Sequence, residues 1–129
     1  MMENLYVLGI DYGTESGRVV LVDLETGELA GQQVSSYPHG VLTEKLPAGN
    51  VSLGKETALQ VPGDYLDVLY RSVPALLKET GIRGEQVIGI GIDFTSCTIL
   101  PTTDDFTPLC EMEAYKKSAA CLREAVEAS

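Results

Sequence analysis

Histidine and cysteine are scarce in this sequence. It has a single histidine, His39, and three cysteines, which are Cys97, Cys110 and Cys121. The cysteine spacing matches neither a paired metal-binding motif nor a redox pair, and an odd number leaves a free thiol. We interpret the cysteines as reduced, core-type residues. This inventory disfavours both a histidine–cysteine metal centre and Ser-His catalysis.

Basic residues are also few, with 9 lysines and arginines against 19 aspartates and glutamates and a formal net charge of −10. A surface of this sign repels nucleic acid and anionic membranes, so we expect neither as a partner. No apolar run approaches the roughly 20 residues that a membrane-spanning helix requires. The first residues are acidic and lack the apolar core of a signal peptide. A cytoplasmic protein is the simplest expectation.

The length and the hydrophobic content of the chain are sufficient for one folded domain. The chain has 129 residues, the usual size of a single domain, and 44% of them are hydrophobic. Two short runs rich in β-branched residues, 5–10 and 19–22, predict strands. The polar residues 11–18 between them predict a hairpin turn in which Gly13 and Gly17 are able to take positive φ.

This turn carries more polar chemistry than a turn requires. Its successive backbone N–H groups predict an anion-binding concavity, which Thr14, Ser16 and Arg18 would reinforce. Asp11, at the exit of a buried strand, would hold a hydrated Mg²⁺ beside the bound phosphates. An ordinary polar hairpin turn explains the same residues, and both interpretations stay open.

The following segments predict more of the same sheet and a helix that covers it. Residues 29–37 form a third, more polar strand near the sheet edge, which completes an antiparallel meander. An apolar stripe after Asp64, the expected N-cap, predicts a helix that is kinked or split at Pro74 and capped by Gly81. Residues 87–94 are apolar on both faces, which is typical of a strand buried between layers.

The strand over residues 87–94 finishes in an acid, as the first strand does. If the two strands are parallel, Asp11 and Asp93 come to the same edge of one sheet. Open α/β sheets bind their ligands at that edge. A polar loop containing Thr95 and Ser96 follows directly.

For two further segments, the sequence leaves the role of one undecided and predicts a packing role for the other. His39 lies in a loop and is either an ordinary loop residue or a substrate contact. A narrow apolar seam predicts a helix over residues 111–129 that packs on the sheet or on a partner.

In their order, these parts resemble the N-terminus of the FGGY carbohydrate kinases, members of the actin-like ATPase group. The resemblance rests first on residues 9–18 and on the second strand end, residues 87–95. It extends to residues 37–41, 58–60, 64–65, 72–75 and 108–110. The fold that it implies is a ribonuclease H-like (actin-like ATPase) α/β domain whose mixed sheet has an antiparallel three-stranded meander followed by a helix and a parallel strand. Residues 1–110 would be the N-terminal half of the family's first domain, with residues 111–129 as a separate C-terminal helix.

The resemblance also implies a reaction, the transfer of the γ-phosphoryl group of ATP to L-ribulose or a related ketopentose. The cofactors implied are ATP and Mg²⁺, with Asp11 beside the metal. The phosphate contacts implied are Gly13, Thr14, Ser16 and Arg18. The residues implied on the sugar side are Asp93, Thr95 and Ser96.

The catalytic base of the FGGY kinases is an Asp far downstream of the part that this sequence resembles. We therefore assign no catalytic residue and expect the 129-residue chain alone to be inactive. The alternative function is a non-catalytic module of actin-like fold that binds a phosphate, a nucleotide or a protein partner. The sequence leaves the oligomeric state open, a homo-oligomer included.

Overall fold

The computed structural model describes residues 3–47, 52–55, 57–96, 99–115 and 123–124. The chain divides into two compact units. The first comprises Met1–Tyr37 and Tyr65–Phe94, and the second comprises Pro38–Asp64 and Thr95–Ser129. Of the helices in the described ranges, none combines the length and the apolar character that crossing a membrane requires.

Seven strands and one α-helix make up the described secondary structure, with short 3₁₀ helices at Gly84–Gln86 and Leu109–Glu111. In chain order they are β1 (Tyr6–Tyr12), β2 (Ser16–Asp23), β3 (Leu29–Ser36), β4 (Val41–Leu42), β5 (Leu59–Gln60), α1 (Pro62–Thr80), β6 (Val87–Phe94) and β7 (Arg123–Glu124).

The sheet of the first unit has the strand order β3-β2-β1-β6. β1 and β2 pair antiparallel, as do β2 and β3, whereas β6 runs parallel to β1. The predicted antiparallel meander, followed by a helix and a parallel strand, is confirmed, and β3 lies at a sheet edge as expected.

The connection between β1 and β2 is shorter than predicted. The strands extend to Tyr12 and from Ser16, so only residues 13–15 connect them. Asp11 and Arg18, which we expected in the turn, pair with each other inside the ladder. The prediction of a turn over residues 11–18 is wrong because β2 pairs with β1 from Gly17 and with β3 from Ser16, which keeps these residues extended.

The core of the first unit lies between α1 and one face of the sheet. Its buried members are Leu8, Ile10, Val19, Leu21, Tyr37, Tyr65, Val68 and Leu76. Alternate residues of β1 and β2 face the helix because successive side chains of a strand point to opposite faces. The apolar stripe of α1 supplies the other half of this core, which is the packing role that its spacing predicted.

Helix α1 begins at Pro62, earlier than predicted, and continues through Pro74 to Thr80 as one helix. Proline is well tolerated at the first helical position because its missing N–H would have no intrahelical partner there. Of the predicted kink or split at Pro74, the split is wrong, because the helix is continuous from Pro62 to Thr80. The predicted C-cap is confirmed, since Gly81 has a φ of 73° and donates its N–H to the Leu77 carbonyl at 2.9 Å.

Gly17 is required for close packing of the sheet on α1. Neither Gly13 nor Gly17 is among the described residues with positive φ, contrary to the role we expected for them. A Cβ on Gly17 would instead lie 2.6 Å from the Val68 Cγ1 on α1, a distance that forces the helix or the side chain to move.

Replacing Gly17 by alanine is therefore expected to destabilise the chain by about 1–3 kcal/mol, the usual cost of overpacking. The matched control is Gly91→Ala, because Gly91 also lies in a strand but a Cβ there meets nothing within 4 Å. Urea unfolding of both variants measures the two free energies. Equal effects would mean that β propensity, and not the contact with Val68, governs position 17.

β6 is not the buried strand that its sequence predicted. It is the last strand of the sheet, and the side chains of Ile90, Ile92 and Phe94 are exposed. The core beneath α1 draws on β1 and β2, and from β6 only Val87 packs against it, partly buried. The apolar character of β6 therefore lies at the protein surface.

The second unit contains a small sheet in which β5 pairs antiparallel with β4 and with β7. Its described core consists of Leu46, Leu59 and Cys110, with smaller contributions from neighbouring leucines. Cys110 is buried, which agrees with a core-type cysteine. Cys97 and Cys121 lie outside the described residues.

The helix predicted over residues 111–129 is wrong for the part of this stretch that the structure describes. Glu111 ends a 3₁₀ helix, residues 112–115 form bends and turns, and Arg123–Glu124 form a strand. The strand pairs with β5, so backbone pairing overrides the helical spacing of the apolar residues there. Residues 116–122 and 125–129 lie outside the described ranges.

Candidate functional site

Three charged side chains share one face of the first unit's sheet. Asp11 on β1 pairs directly with Arg18 on β2 and with Asp93 on β6. Their strand neighbours Ile10 and Val19 belong to the core under α1. Because side chains alternate along a strand, the three charges point to the opposite face, on adjacent strands about 4.8 Å apart. The predicted meeting of Asp11 and Asp93 at one edge of the sheet is confirmed.

Two facing glycines open a hollow beside these charges. Gly9 and Gly91 are paired across β1 and β6, next to the two aspartates on the same face. Neither glycine has a side chain, so the sheet surface is recessed there and leaves an open cavity of about 370 Å³. Asp11, Arg18 and Asp93 line it.

The side chains of Asp11, Arg18 and Asp93 make no hydrogen bond or ion pair with any residue that the structure describes. The guanidinium offers five donors to an anion, and each carboxylate offers oxygens to a cation. No group of three or more His, Cys, Asp or Glu that would hold a metal unaided occurs within the described ranges. The two aspartates nevertheless fit Mg²⁺, which binds through one or two carboxylates and takes its other ligands from water and phosphates.

The turn at residues 13–15 is held in place by Tyr37. The Tyr37 hydroxyl donates to the Gly13 carbonyl at 2.7 Å, and its backbone N–H donates to the Glu15 carbonyl at 3.0 Å. Across the turn, the Gly13 N–H donates to the Ser16 carbonyl at 2.9 Å. These bonds fix the backbone on both sides of Thr14, which is exposed at the tip.

Tyr37 belongs to a cluster of three tyrosines under this turn. Its ring centroid lies 5.1 Å from that of Tyr65, which lies 5.0 Å from that of Tyr12. The Tyr12 hydroxyl donates to the Tyr65 carbonyl at 3.0 Å. Burial, and after it the Tyr65 phenol, raises the pKa of Tyr12 above its ordinary value, so the hydroxyl stays protonated and remains a donor.

This tyrosine cluster under the turn was not predicted from the sequence. Each of the three tyrosines lies in a segment that carries the family resemblance, which was the only signal for them. Their spacing along the chain gave no indication that they meet.

Replacing Tyr37 by phenylalanine is expected to cost about 1–3 kcal/mol of unfolding free energy, since the Gly13 carbonyl loses its donor in a partly buried setting. The matched control is Tyr70→Phe, whose side chain is 74% exposed and should change stability by no more than about 0.5 kcal/mol. Chemical denaturation of both variants tests this, and indistinguishable midpoints would show that the turn does not depend on the Tyr37 hydroxyl.

The remaining predicted site residues belong to the second unit. Thr95 and Ser96 follow β6 in the chain, and both engage in interactions within the structure. His39 is tied to Asp64, whose carboxylate accepts the His39 backbone N–H at 2.9 Å and lies 2.7 Å from the ring Nδ1. Asp64 is buried, and the pair anchors the loop to the first turn of α1. These contacts account for His39 as a loop residue.

The chain is similar in sequence to bacterial ribulokinases. It is 51% identical to the ribulokinase of Halalkalibacterium halodurans over 115 residues, which is 89% of this chain and 20% of that protein. It is 55% identical to that of Geobacillus thermodenitrificans over the same share of both chains, and 57% identical to that of Shouchella clausii over 105 residues. The chain thus spans about one fifth of the length of the curated relatives that it matches. No family model matches it.

Solved sugar kinases share its fold. The gluconate kinase from Lactobacillus acidophilus superposes with a TM-score of 0.63 at 18% identity, covering 81% of this chain and 18% of the kinase. A xylulose kinase from Brucella ovis superposes with a TM-score of 0.65 at 18% identity, covering 79% and 19%. The predicted actin-like α/β fold is confirmed.

Proposed function

Because the chain belongs with the ribulokinases in sequence and matches the N-terminal fifth of their length, we propose that it supplies the phosphate-binding wall of an ATP-dependent L-ribulose kinase. The observation that carries the proposal is the cluster of Asp11, Arg18 and Asp93, three charges in register around one hollow, whose side chains have no partner among the described residues. A kinase of this kind draws on cytoplasmic ATP, so we expect the protein in the cytoplasm.

In this proposal, Arg18 binds the phosphate oxygens of ATP. A guanidinium presents paired donors in a fixed fork that matches phosphate geometry. Arg18 extends from β2, whose start is joined to β1 through the tightly held turn at residues 13–15. Thr14 and Ser16 would add hydroxyl donors. The Gly13 N–H already donates to the Ser16 carbonyl, so Gly13 would lie beside the phosphate without donating to it.

Asp11 would hold Mg²⁺, which when bound neutralises charge on the phosphoryl group in transfer. Asp93 lies beside Asp11 and would face the sugar, together with Thr95 and Ser96. Two neighbouring carboxylates repel each other, so a divalent cation held by Asp11 would reduce that repulsion as well as binding phosphate. The sugar specificity for L-ribulose rests on the relatives' names and on the family resemblance alone.

The proposal is tested by the effect of MgATP on melting of the chain. A ligand present at 100 times its Kd stabilises a protein by about 2.7 kcal/mol, which is readily seen as a higher Tm. Arg18→Gln should weaken MgATP binding by roughly 10- to 100-fold, because hydrogen bonds to charged groups contribute about 1.5–3 kcal/mol. Asp11→Asn should remove the difference between ATP with Mg²⁺ and ATP with a chelator.

The matched control is Lys78→Gln, which removes one positive charge from an exposed position near the end of α1. It should leave the MgATP effect unchanged. If MgATP does not raise the Tm, or if Lys78→Gln and Arg18→Gln weaken binding equally, the hollow is not the phosphate site.

A further inference from the structure

His39 is held by a buried carboxylate that leaves one of its ring nitrogens available. Asp64 is 4% exposed; one of its oxygens accepts the His39 backbone N–H at 2.9 Å, and the other lies 2.7 Å from the ring Nδ1. Because a carboxylate only accepts hydrogen bonds, the proton of the neutral ring lies on Nδ1 and Nε2 is an acceptor. Nε2 has no partner among the described residues, and the His39 side chain is 47% exposed.

An open cavity of about 340 Å³, here called the His39 cavity, lies beside this imidazole. Its volume is within the range of small-molecule pockets, roughly 300–1,000 Å³. Polar side chains line it at Thr43, Glu44 and Lys45, and its apolar lining includes Val41 and Pro47. The Glu44 carboxylate and the Lys45 ammonium make no hydrogen bond or ion pair with a residue that the structure describes. All of these residues belong to the second unit.

Backbone pairing holds the wall of the His39 cavity in place. β4 begins this wall and pairs with β5. Further along, the Glu44 carbonyl accepts the Leu53 N–H at 2.8 Å, and Lys45 forms an isolated bridge with Ser52. Because the wall and the imidazole are both fixed, a ligand loses little binding free energy to ordering of the backbone.

The charges around the His39 cavity disfavour an anionic ligand. Glu44 and Lys45 carry opposite charges, and Asp64 adds a negative charge that a protonated His39 would only balance. The surroundings of the cavity are therefore neutral or negative in either protonation state of the imidazole. The whole chain has a net charge of −10, which also repels anions.

Hydroxyl groups match this lining better than charged groups do. Glu44 and the Nε2 of a neutral His39 only accept hydrogen bonds, Lys45 only donates them, and a hydroxyl does both. A phosphate or carboxylate would leave Glu44 without a donor, and an ammonium would leave Lys45 without an acceptor. The C–H groups of a ligand that carries several hydroxyls would pack on Val41 and Pro47.

We propose that the His39 cavity binds a small neutral polyol, meaning a sugar or a sugar alcohol, without requiring ATP. This goes beyond the proposed function, in which the sugar contacts are Asp93, Thr95 and Ser96. The same chemistry could come from the acceptor sugar of the proposed reaction or from an unrelated polyol. L-ribulose and ribitol distinguish the two sources, because ribitol has no carbonyl group.

The first experiment titrates the full chain with ribitol, L-ribulose and their 5-phosphates in the absence of ATP, and follows the ring nitrogens of His39 by NMR. His39 is the single histidine, so its ring signals are assigned directly. A bound polyol should shift the Nε2 resonance more than that of Nδ1, which is already bonded to Asp64. Each 5-phosphate should bind about tenfold more weakly than its parent polyol.

The second experiment repeats the titration with variants of the lining. Glu44→Gln and Lys45→Gln change exposed positions and should each weaken polyol binding by about tenfold or more, because hydrogen bonds to charged groups are the stronger ones. The matched controls Glu25→Gln and Lys78→Gln make the same changes at exposed positions outside the cavity and should weaken binding less than about twofold. Glu44→Gln should leave the effect of MgATP on the Tm unchanged, so failure of this proposal is distinguishable from failure of the phosphate site.

Saturable shifts of the His39 ring signals with either polyol support the proposal, and the polyol that causes them identifies the source. Three results would overturn it. One is the absence of a saturable shift with both polyols. Another is a 5-phosphate that binds as tightly as its parent polyol. The third is an equal effect of Glu44→Gln and Glu25→Gln, which would mean that binding does not involve the His39 cavity.

Discussion

Mixed with MgATP and L-ribulose, the 129-residue chain is expected to form no ribulose phosphate above the uncatalysed background. Phosphoryl transfer requires an in-line arrangement of donor and acceptor, charge neutralisation and a base near the attacking hydroxyl. The described hollow supplies charges on one wall, from Asp11, Arg18 and Asp93. The FGGY resemblance places the base well downstream of the matched part, and the chain spans 20% of its relatives' length.

The expected loss of rate is large. A general base contributes about 10²–10⁴-fold, and water exclusion by a second wall adds to the electrostatic contribution of the donors. We therefore expect activity at least about 10⁴-fold below that of the Halalkalibacterium halodurans ribulokinase in the same coupled assay. MgATP should still raise the Tm of the chain, because binding to one wall needs neither the base nor closure.

Two controls are needed to interpret the assay. The relative's ribulokinase, assayed alongside, shows that the coupling enzymes respond. Asp11→Asn shows whether any residual signal arises from this site. Turnover that requires both ATP and L-ribulose and disappears in Asp11→Asn would prove the expectation wrong.

The parts of the fold that were predictable are those with a strong local pattern. The β-branched run at residues 19–22 predicts a strand because such side chains pack well on a pleated sheet. The meeting of Asp11 and Asp93 was predictable because both follow apolar strand runs and parallel strands end at the same edge. Simple alternation then places both side chains on one face.

The local pattern was misleading where pairing between strands determines the structure. Ser16, Gly17 and Arg18 have the composition of a turn, yet β2 includes them because β3 pairs with all three and β1 pairs with Gly17 and Arg18. The need for glycine at position 17 arises from Val68, which is far away in sequence. No local property of the segment contains that information.

The exposure of β6 was unpredictable for a related reason. Its residues are apolar on both faces, which is typical of a buried strand, and the sequence alone does not show which strands a helix covers. The position of α1 over β1 and β2 is set by tertiary packing, and it leaves the side chains of Ile90, Ile92 and Phe94 on β6 exposed. In the same way, pairing with β5 keeps Arg123–Glu124 extended where the residue spacing predicted a helix.

Replacing Leu21 by alanine is expected to remove about 2–5 kcal/mol of unfolding free energy, the usual cost of a cavity in a packed core. Leu21 is fully buried at the centre of β2 and pairs across the sheet with Leu8. Domains of this size are stabilised by only about 5–15 kcal/mol in total, so the variant should lose a large fraction of its stability. Urea unfolding measures the change.

Leu29→Ala is the matched control, since Leu29 is 55% exposed on β3 and should cost no more than about 0.5 kcal/mol. At temperatures where Leu21→Ala is folded, its Kd for MgATP should equal that of the parent chain, because Leu21 and Arg18 lie on opposite faces of β2. Arg18→Gln should instead keep the unfolding free energy of the parent chain and weaken the binding of MgATP. A cost of Leu21→Ala below about 1 kcal/mol in unfolding free energy would mean that the core relaxes into the cavity. The pairing of β1 with β2, which positions Asp11 and Arg18, would then not depend on the packing of Leu21.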